Sequence, residues 1–146
     1  MIKVGILNKS NYPNPEYGKI GNSGMDVKAN IQEPIQLKPL ERRLIPSGLY
    51  FEIPEGYEIQ VRPRSGLALK RGITVLNTPG TLDANYRGEV GVILINLSNE
   101  TQIIEPGERI AQLVFAKVEL MELVSIEEIN KNTERGEQGY GDSGRF

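Results

Sequence analysis

The run Val90–Leu97, VGVILINL, restricts the folds open to this chain more than any other stretch. It is uninterrupted, rich in β-branched side chains and bounded by turn formers, and so reads as a fully buried strand. Alternation puts Val90, Val92 and Leu94 on one face and Ile93, Ile95 and Leu97 on the other. Both faces are apolar and both need cover; in a domain of 146 residues the second cover is expected from a neighbouring subunit. Just before the run lies Asn77–Glu89, NTPGTLDANYRGE, where Pro79-Gly80 marks one turn and Asp83-Ala84-Asn85 another. The expectation is a rigid hairpin with Asp83, Tyr86 and Arg87 at its mouth, exposed groups on a fixed backbone.

The rest of the chain has the same character. Its 16 glycines and 9 prolines recur at short spacing, which favours many short strands over helices. Ile2–Leu7 reads as a first strand and Ile110–Glu119 as a long late one. Gly48–Ile53 alternates Leu49, Phe51 and Ile53 against Tyr50 and Glu52, and Tyr57–Arg62 alternates Tyr57, Ile59 and Val61 against Glu58, Gln60 and Arg62. Both are half-buried antiparallel strands. Met25, Val27 and Ala29 are placed toward the core, with Asp26 opposite. One helix is expected over Ser65–Arg71, with Ser65 as N-cap, Lys70 and Arg71 complementing the C-terminal dipole and Gly72 as the stop. A second, weaker helix is expected from Ser125, with Glu127 and Glu128 in its first turn. The chain divides into an all-β domain, residues 1–129, and a tail, residues 130–146. The tail holds Gly136, Gly139, Gly141 and Gly144, with Tyr140 and Phe146 as its large apolar side chains. It buries too little to offset its ordering entropy and is expected to be mobile. On composition it is a frayed terminus or a lid that orders on ligand.

Composition excludes several chemistries. The chain has no histidine and no cysteine. Ser-His-Asp and Cys-His nucleophiles are ruled out, as are disulfides, thiolate metal sites and the zinc site of the usual nucleoside deaminases. Catalysis must rest on carboxylates, tyrosines, lysines, arginines and a hard cation held through oxygen. The net charge of −2 argues against general binding to nucleic acid or anionic membranes. No apolar stretch approaches the roughly 20 residues that span a bilayer, and the N-terminus lacks the pattern of a secretory signal. A cytoplasmic protein is expected.

Gly80-Thr81-Leu82-Asp83-Ala84-Asn85-Tyr86-Arg87-Gly88-Glu89 resembles the third motif of the dUTPase family, with Leu82 in place of the usual isoleucine. Four other stretches resemble the remaining motifs in order: Ser23–Ala29, Pro63-Arg64-Ser65-Gly66, Gly107–Gln112 and Arg135–Gly144. The resemblance implies a distorted jelly-roll-like β-barrel with one short helix and a flexible C-terminal arm. It implies a homotrimer with shared active sites: motifs one, two and four from one subunit, three from another and five from the third. The implied reaction is dUTP plus water giving dUMP and pyrophosphate, by in-line attack on the α-phosphorus with Mg²⁺ bridging the phosphates.

The same resemblance assigns roles. Asp83 is the general base. Arg64, Ser65 and Gly66 form an anion site for the triphosphate, where a guanidinium, a hydroxyl and free N–H groups converge. Asn77, with the backbone of Gly80 and Leu82, reads the uracil edge, and Tyr86 lies against the deoxyribose. Asp26 stands near the metal through its water shell. Gln112 reaches the phosphates or the attacking water, although a structural hydrogen bond would satisfy it equally. Arg135 clamps the γ-phosphate, Tyr140 stacks on uracil and Ser143 donates to phosphate. Gln138 and Asp142 depart from the family pattern, and Asp142 either weakens closure or points to solvent. Arg87 and Glu89 read as structural ion-pair partners. Two alternatives stay open at this point: a dCTP deaminase of the same fold, and a non-catalytic dUTPase-like nucleotide-binding module.

Overall fold

A computed structural model describes residues 1–141, 143 and 144. Among the described residues eleven strands and one helix follow each other in the order β1 (Gly5–Asn8), β2 (Gly24–Lys28), β3 (Ile35–Leu37), β4 (Arg42–Pro46), β5 (Leu49–Glu52), β6 (Tyr57–Arg62), α1 (Ser65–Arg71), β7 (Ile73–Val75), β8 (Gly80–Leu82), β9 (Gly91–Asn96), β10 (Gln102–Ile104) and β11 (Arg109–Lys117). The largest sheet has the order β2-β11-β6-β8; β4-β9-β7 forms a second, and the pairs β1-β5 and β10-β3 complete the set. The architecture is all-β and jelly-roll-like, its strands shared among small sheets rather than closed into one continuous barrel.

Alternation explains the packing. In β5 and β6, Leu49, Phe51, Ile59 and Val61 are buried while Glu52 and Arg62 are exposed. Leu37, Ile45, Ile73, Leu94, Ile104, Ile110 and Leu113 are sealed from solvent at the centre. Each contributes about 1.5–3 kcal/mol relative to an exposed position. Asn96, the buried amide at the end of β9, is fully satisfied. Its Nδ2 donates to Leu37 O (2.8 Å) and Glu100 O (2.7 Å), while its Oδ1 accepts from Ser98 N (2.9 Å) and Oγ (2.7 Å).

Several expectations need correction. The first strand starts at Gly5 rather than Ile2, because its pairing with β5 begins at Gly5↔Glu52. The long late strand spans Arg109–Lys117 and stops short of Glu119. The Val90–Leu97 run is buried on one face only within this chain. Val90, Val92 and Leu94 are sealed, whereas Ile93 and Ile95 are half-buried and Leu97 is 59% exposed. Leu44 of β4, folded over Gly91 on that outer face, is 63% exposed.

The expected hairpin is not one. β8 pairs with β6, whereas β9 pairs with β4 and β7, so Asp83–Val90 crosses from one sheet to another. Glycine at position 80 eases the β8–β6 pairing, since a Cβ there would lie 3.2 Å from Val61 Cβ on the partner strand.

The helix forms as expected, but Ser65 is its first helical residue rather than its cap. Arg64 occupies the N-cap with extended backbone and no capping side chain. Gly72 closes the other end at φ 65°, a left-handed conformation suited to glycine. No helix forms from Ser125. Ile126 and Ile129 are 63% and 70% exposed, and a short helix needs an apolar face to pack. Among the described residues no helix is long and apolar enough to cross a membrane.

Candidate active site

β11 is the hinge of the site. Gln112 stands opposite Asp26 on β2 and opposite Arg62 on β6. The chain leaving β6 passes through Pro63 and Arg64 into α1, so three separated sequence stretches meet across one strand. Arg64 Nε lies 3.0 Å from Asp26 Oδ1, and its Nη1 donates to Arg109 O at 3.2 Å. Gln112 Nε2 donates to Pro63 O at 3.0 Å. That bond is the structural one anticipated for a half-buried amide. Oε1 stays directed toward Gly24, where a Cβ would stand 2.2 Å from it, so only glycine admits the amide in this pose. Asp26 keeps 33% of its side chain exposed, and Arg64 32%. Ser65 and Gly66 are exposed, with open space around Gly66.

Sequence reasoning missed Arg109. Its Nη1 lies 3.6 Å from Asp26 Oδ2, giving the carboxylate a second guanidinium neighbour. The signal was present, since Arg109 sits within Gly107–Gln112, but its approach to Asp26 depends on a register shift between Arg109 and Ala111 that composition does not announce. A cavity of about 660 Å³ opens beside this cluster, bounded by Asp26, Lys28, Arg109 and Gln112 on one side and by the loop carrying Tyr12 and Ser23 on the other.

The segment following β8 is organised by itself. Tyr86 N donates to Asp83 O (3.0 Å), and Tyr86 OH donates to Glu89 O (2.9 Å). Arg87 Nη1 donates to Ala84 O (2.6 Å) and Tyr86 O (3.0 Å). The expected Arg87–Glu89 ion pair does not form. Arg87 folds back on its own loop, and Glu89 Oε1 instead accepts the Gly48 N–H at 2.7 Å. Asp83 and Asn77 are exposed, Tyr86 is 45% exposed, and Gly80 and Leu82 are buried.

Within one chain Asp83 does not meet the Asp26–Arg64–Gln112 cluster. Gln112 is level with Arg62, whereas Leu82, immediately before Asp83, is level with Ile59. Strand geometry makes that roughly 10 Å along the sheet, and β6 standing between β8 and β11 adds roughly 10 Å across it.

The tail stands apart as well. Val118 N donates to Gly56 O at 2.8 Å, and from Glu119 to Ile129 every residue is exposed. The hydrogen bonds and ion pair of the described residues in 130–144 stay inside that segment, including Arg135 Nε to Gln138 O (2.7 Å) and Lys131 to Glu137 (3.0 Å). Tyr140 is fully exposed and Ser143 is exposed. Asp142, singled out in the sequence, lies outside the described residues.

The dUTPase family model matches residues 10–144. The deoxyuridine 5'-triphosphate nucleotidohydrolase of Fusobacterium nucleatum is 57% identical over 144 residues, covering 99% of this chain and 98% of that protein. The enzyme of the same name from Finegoldia magna is 52% identical over 143 residues, covering 98% of this chain and 99% of that protein. Among solved structures, a mutant dUTPase of Staphylococcus bacteriophage 80alpha with dUpNHpp superposes with a TM-score of 0.83 at 26% identity, covering 99% of this chain and 100% of that one.

Proposed function

The chain belongs to the dUTPase family, and from that premise we propose that it hydrolyses dUTP to dUMP and pyrophosphate at sites completed by neighbouring copies of itself. The nucleotidohydrolase names of its relatives favour this over the deaminase and the non-catalytic module. The observation that carries the arrangement is the separation of Asp83 from the Asp26–Arg64–Gln112 cluster along one sheet. Each chain therefore offers a phosphate-facing half and, at the other end of its sheet, a base-and-sugar-facing half. A homotrimer, with residues 130–146 of a third copy as the arm, lets these halves meet. The outer face of β4-β9-β7, with Leu44, Ile93, Ile95 and Leu97 incompletely covered, supports contact between copies. So do Leu120, Met121, Leu123 and Val124, all 74% exposed or more.

In this reading the triphosphate lies against Arg64, the hydroxyl of Ser65 and the backbone N–H groups of Ser65 and Gly66, while Gln112 Oε1, an acceptor, takes a hydrogen bond from the attacking water. Charge-assisted bonds from Arg64 orient the chain of phosphates. Asn77 and the backbone of Gly80 and Leu82 read the uracil edge, where a mismatched polar edge leaves buried groups unpaired. Tyr86 lies against the sugar. Asp83 takes a proton from water as its oxygen bonds to the α-phosphorus, while the bond to the bridging oxygen breaks and pyrophosphate leaves. Such a base contributes about 10²–10⁴-fold; alignment and charge stabilisation supply the rest. Arg135, Tyr140 and Ser143 close over the nucleotide from the third copy.

The residues present fit Mg²⁺ brought in by the substrate. Among the described residues no three acidic side chains gather into a group that could hold the ion. Asp26 is a single, partly solvated carboxylate beside the phosphate-facing arginines, which suits an ion that keeps several waters and binds phosphate oxygens. The ion neutralises phosphate charge when bound.

The test is direct. Purified protein incubated with dUTP and Mg²⁺ should release pyrophosphate and dUMP, and dCTP should yield no ammonia. Absence of pyrophosphate would sink the reading.

A further inference from the structure

The Asp83–Glu89 loop is hydrogen-bonded within itself and is held to the body at its two ends and through Ala84, half-buried against the core. Its internal bonds run from Tyr86 N to Asp83 O, from Arg87 to Ala84 O and Tyr86 O, and from Tyr86 OH to Glu89 O. The Tyr86 ring lies over Gly88 so closely that a Cβ at Gly88 would stand 2.3 Å from the phenol oxygen. The loop thus behaves as one body, and what matters is how that body is fixed. At its start it hangs on β8, paired with β6 through Leu82↔Ile59. At its end the anchor is the β4–β5 turn. Val90 N donates to Leu49 O (2.8 Å), Ser47 Oγ donates to Val90 O (2.5 Å), and Glu89 Oε1 accepts Gly48 N–H (2.7 Å). Glu89 is the loop side chain in that anchor. It reaches a glycine at φ 72°, held by the turn geometry, and its bond is charge-assisted.

We propose that Glu89 is a positioning residue for sugar selectivity: by capturing the Gly48 N–H it fixes the loop that carries Tyr86, and so keeps the phenol wall hard enough to reject a 2′-hydroxyl. Excluding one oxygen atom is a steric task, and a wall that yields by a fraction of an ångström fails at it. The inference rests on the dUTP-hydrolysing reading, with Tyr86 against the deoxyribose.

The experiment compares Glu89→Ala, Glu89→Gln and Arg71→Ala in the full chain. Arg71→Ala removes the bonds from α1 to Gln102 and Glu108 and leaves every bond of the loop's anchor in place, and so serves as a destabilised control. The kcat/KM ratio of dUTP to UTP is measured for each, together with hydrogen exchange at Gly48 and Tyr86. Glu89→Ala should lower the ratio by roughly tenfold, the scale of one lost hydrogen bond, mainly by raising UTP turnover. It should also speed exchange at both amides. Glu89→Gln, which keeps an acceptor oxygen, should restore most of both. Equal loss of selectivity in Arg71→Ala, or wild-type selectivity or exchange in Glu89→Ala, overturns the inference while leaving the reaction intact. A wild-type chain that does not turn over dUTP removes the functional reading and this role together.

Discussion

The Asp26–Arg64–Gln112 cluster and the Asp83–Glu89 loop are built on opposite plans. The cluster is made of long-range contacts: β11 gathers β2 and β6 by register, and Arg64 reaches 38 positions back to Asp26. The loop is made of short-range ones, its bonds spanning one to three residues, with β8, Ala84 packed on the core and the β4–β5 turn as its ties to the body. The first cannot exist before the sheet folds; the second is shaped by its own sequence and then merely placed. On the function proposed above, neither contains a whole site. A chain with its base and its phosphate pocket so far apart along one sheet would then borrow one of them from a neighbouring copy, and that borrowing is open to attack.

The largest expected effect falls on the loop. Asp83→Asn should reduce kcat by about 10²–10⁴-fold, with dUTP binding retained, since the cluster is untouched. Arg64→Ala should also disable the protein, mainly through KM. The sharper measurement mixes the two. If base and phosphate pocket come from different copies, co-refolded Asp83→Asn and Arg64→Ala chains assort into assemblies in which about a quarter of sites carry both wild-type groups. Activity then returns to a measurable fraction of wild type. A mixture as inactive as its parents would place both groups in one chain's site and break the comparison.

Removing residues 131–146 comes next. The described tail makes its hydrogen bonds within itself, so its loss should leave the fold and the assembly state unchanged by sedimentation. Turnover should fall on the order of 10²-fold, the scale of losing one positioning element. Unchanged kinetics would return the tail to an unremarkable terminus.

This contrast also explains what the sequence disclosed. The loop's residues could be picked out from a contiguous decapeptide, because a local shape is written locally. The burial of Leu49, Phe51, Ile59 and Val61 followed from period-two alternation. What failed was partnership. The β8–β9 hairpin, the Arg87–Glu89 pair and the Ser65 cap were each inferred from nearness in sequence, and each group found a distant or different partner: β6, Gly48 and the Arg64 N-cap. Arg109 escaped notice for the same reason, since a one-residue irregularity in β11 decides where its guanidinium goes. Val90–Leu97 was legible as a strand with two apolar faces, but a single chain covers only one of them.

That outer face gives a third, smaller effect. Leu44→Asp with Leu97→Asp places charges on a surface that the single chain already leaves open, so folding should be little changed. Assembly should weaken, and specific activity should become concentration-dependent, dropping about tenfold on dilution and recovering on concentration. Activity indifferent to dilution in the double variant would mean that sites are complete without this face.

The smallest effect tests the stable half alone. Arg71, at the far end of α1, donates from Nε to Gln102 Oε1 (3.0 Å) and also reaches the Glu108 carboxylate and Ile103 O. Glu108 in turn accepts Glu105 N at 2.9 Å, so one guanidinium braces the helix, β10 and the turn that leads into β11. The pair is mostly buried, with 29% and 20% of the side chains exposed. Arg71→Ala should therefore cost about 1–3 kcal/mol in denaturant unfolding. It should also raise KM for dUTP a fewfold, because Ser65 and Gly66 ride on the same helix. The loop is built without this brace, so kcat and selectivity between dUTP and UTP should stay near wild type. A large drop in selectivity would show that the two regions are coupled through the core, and their separate construction would then not amount to separate function.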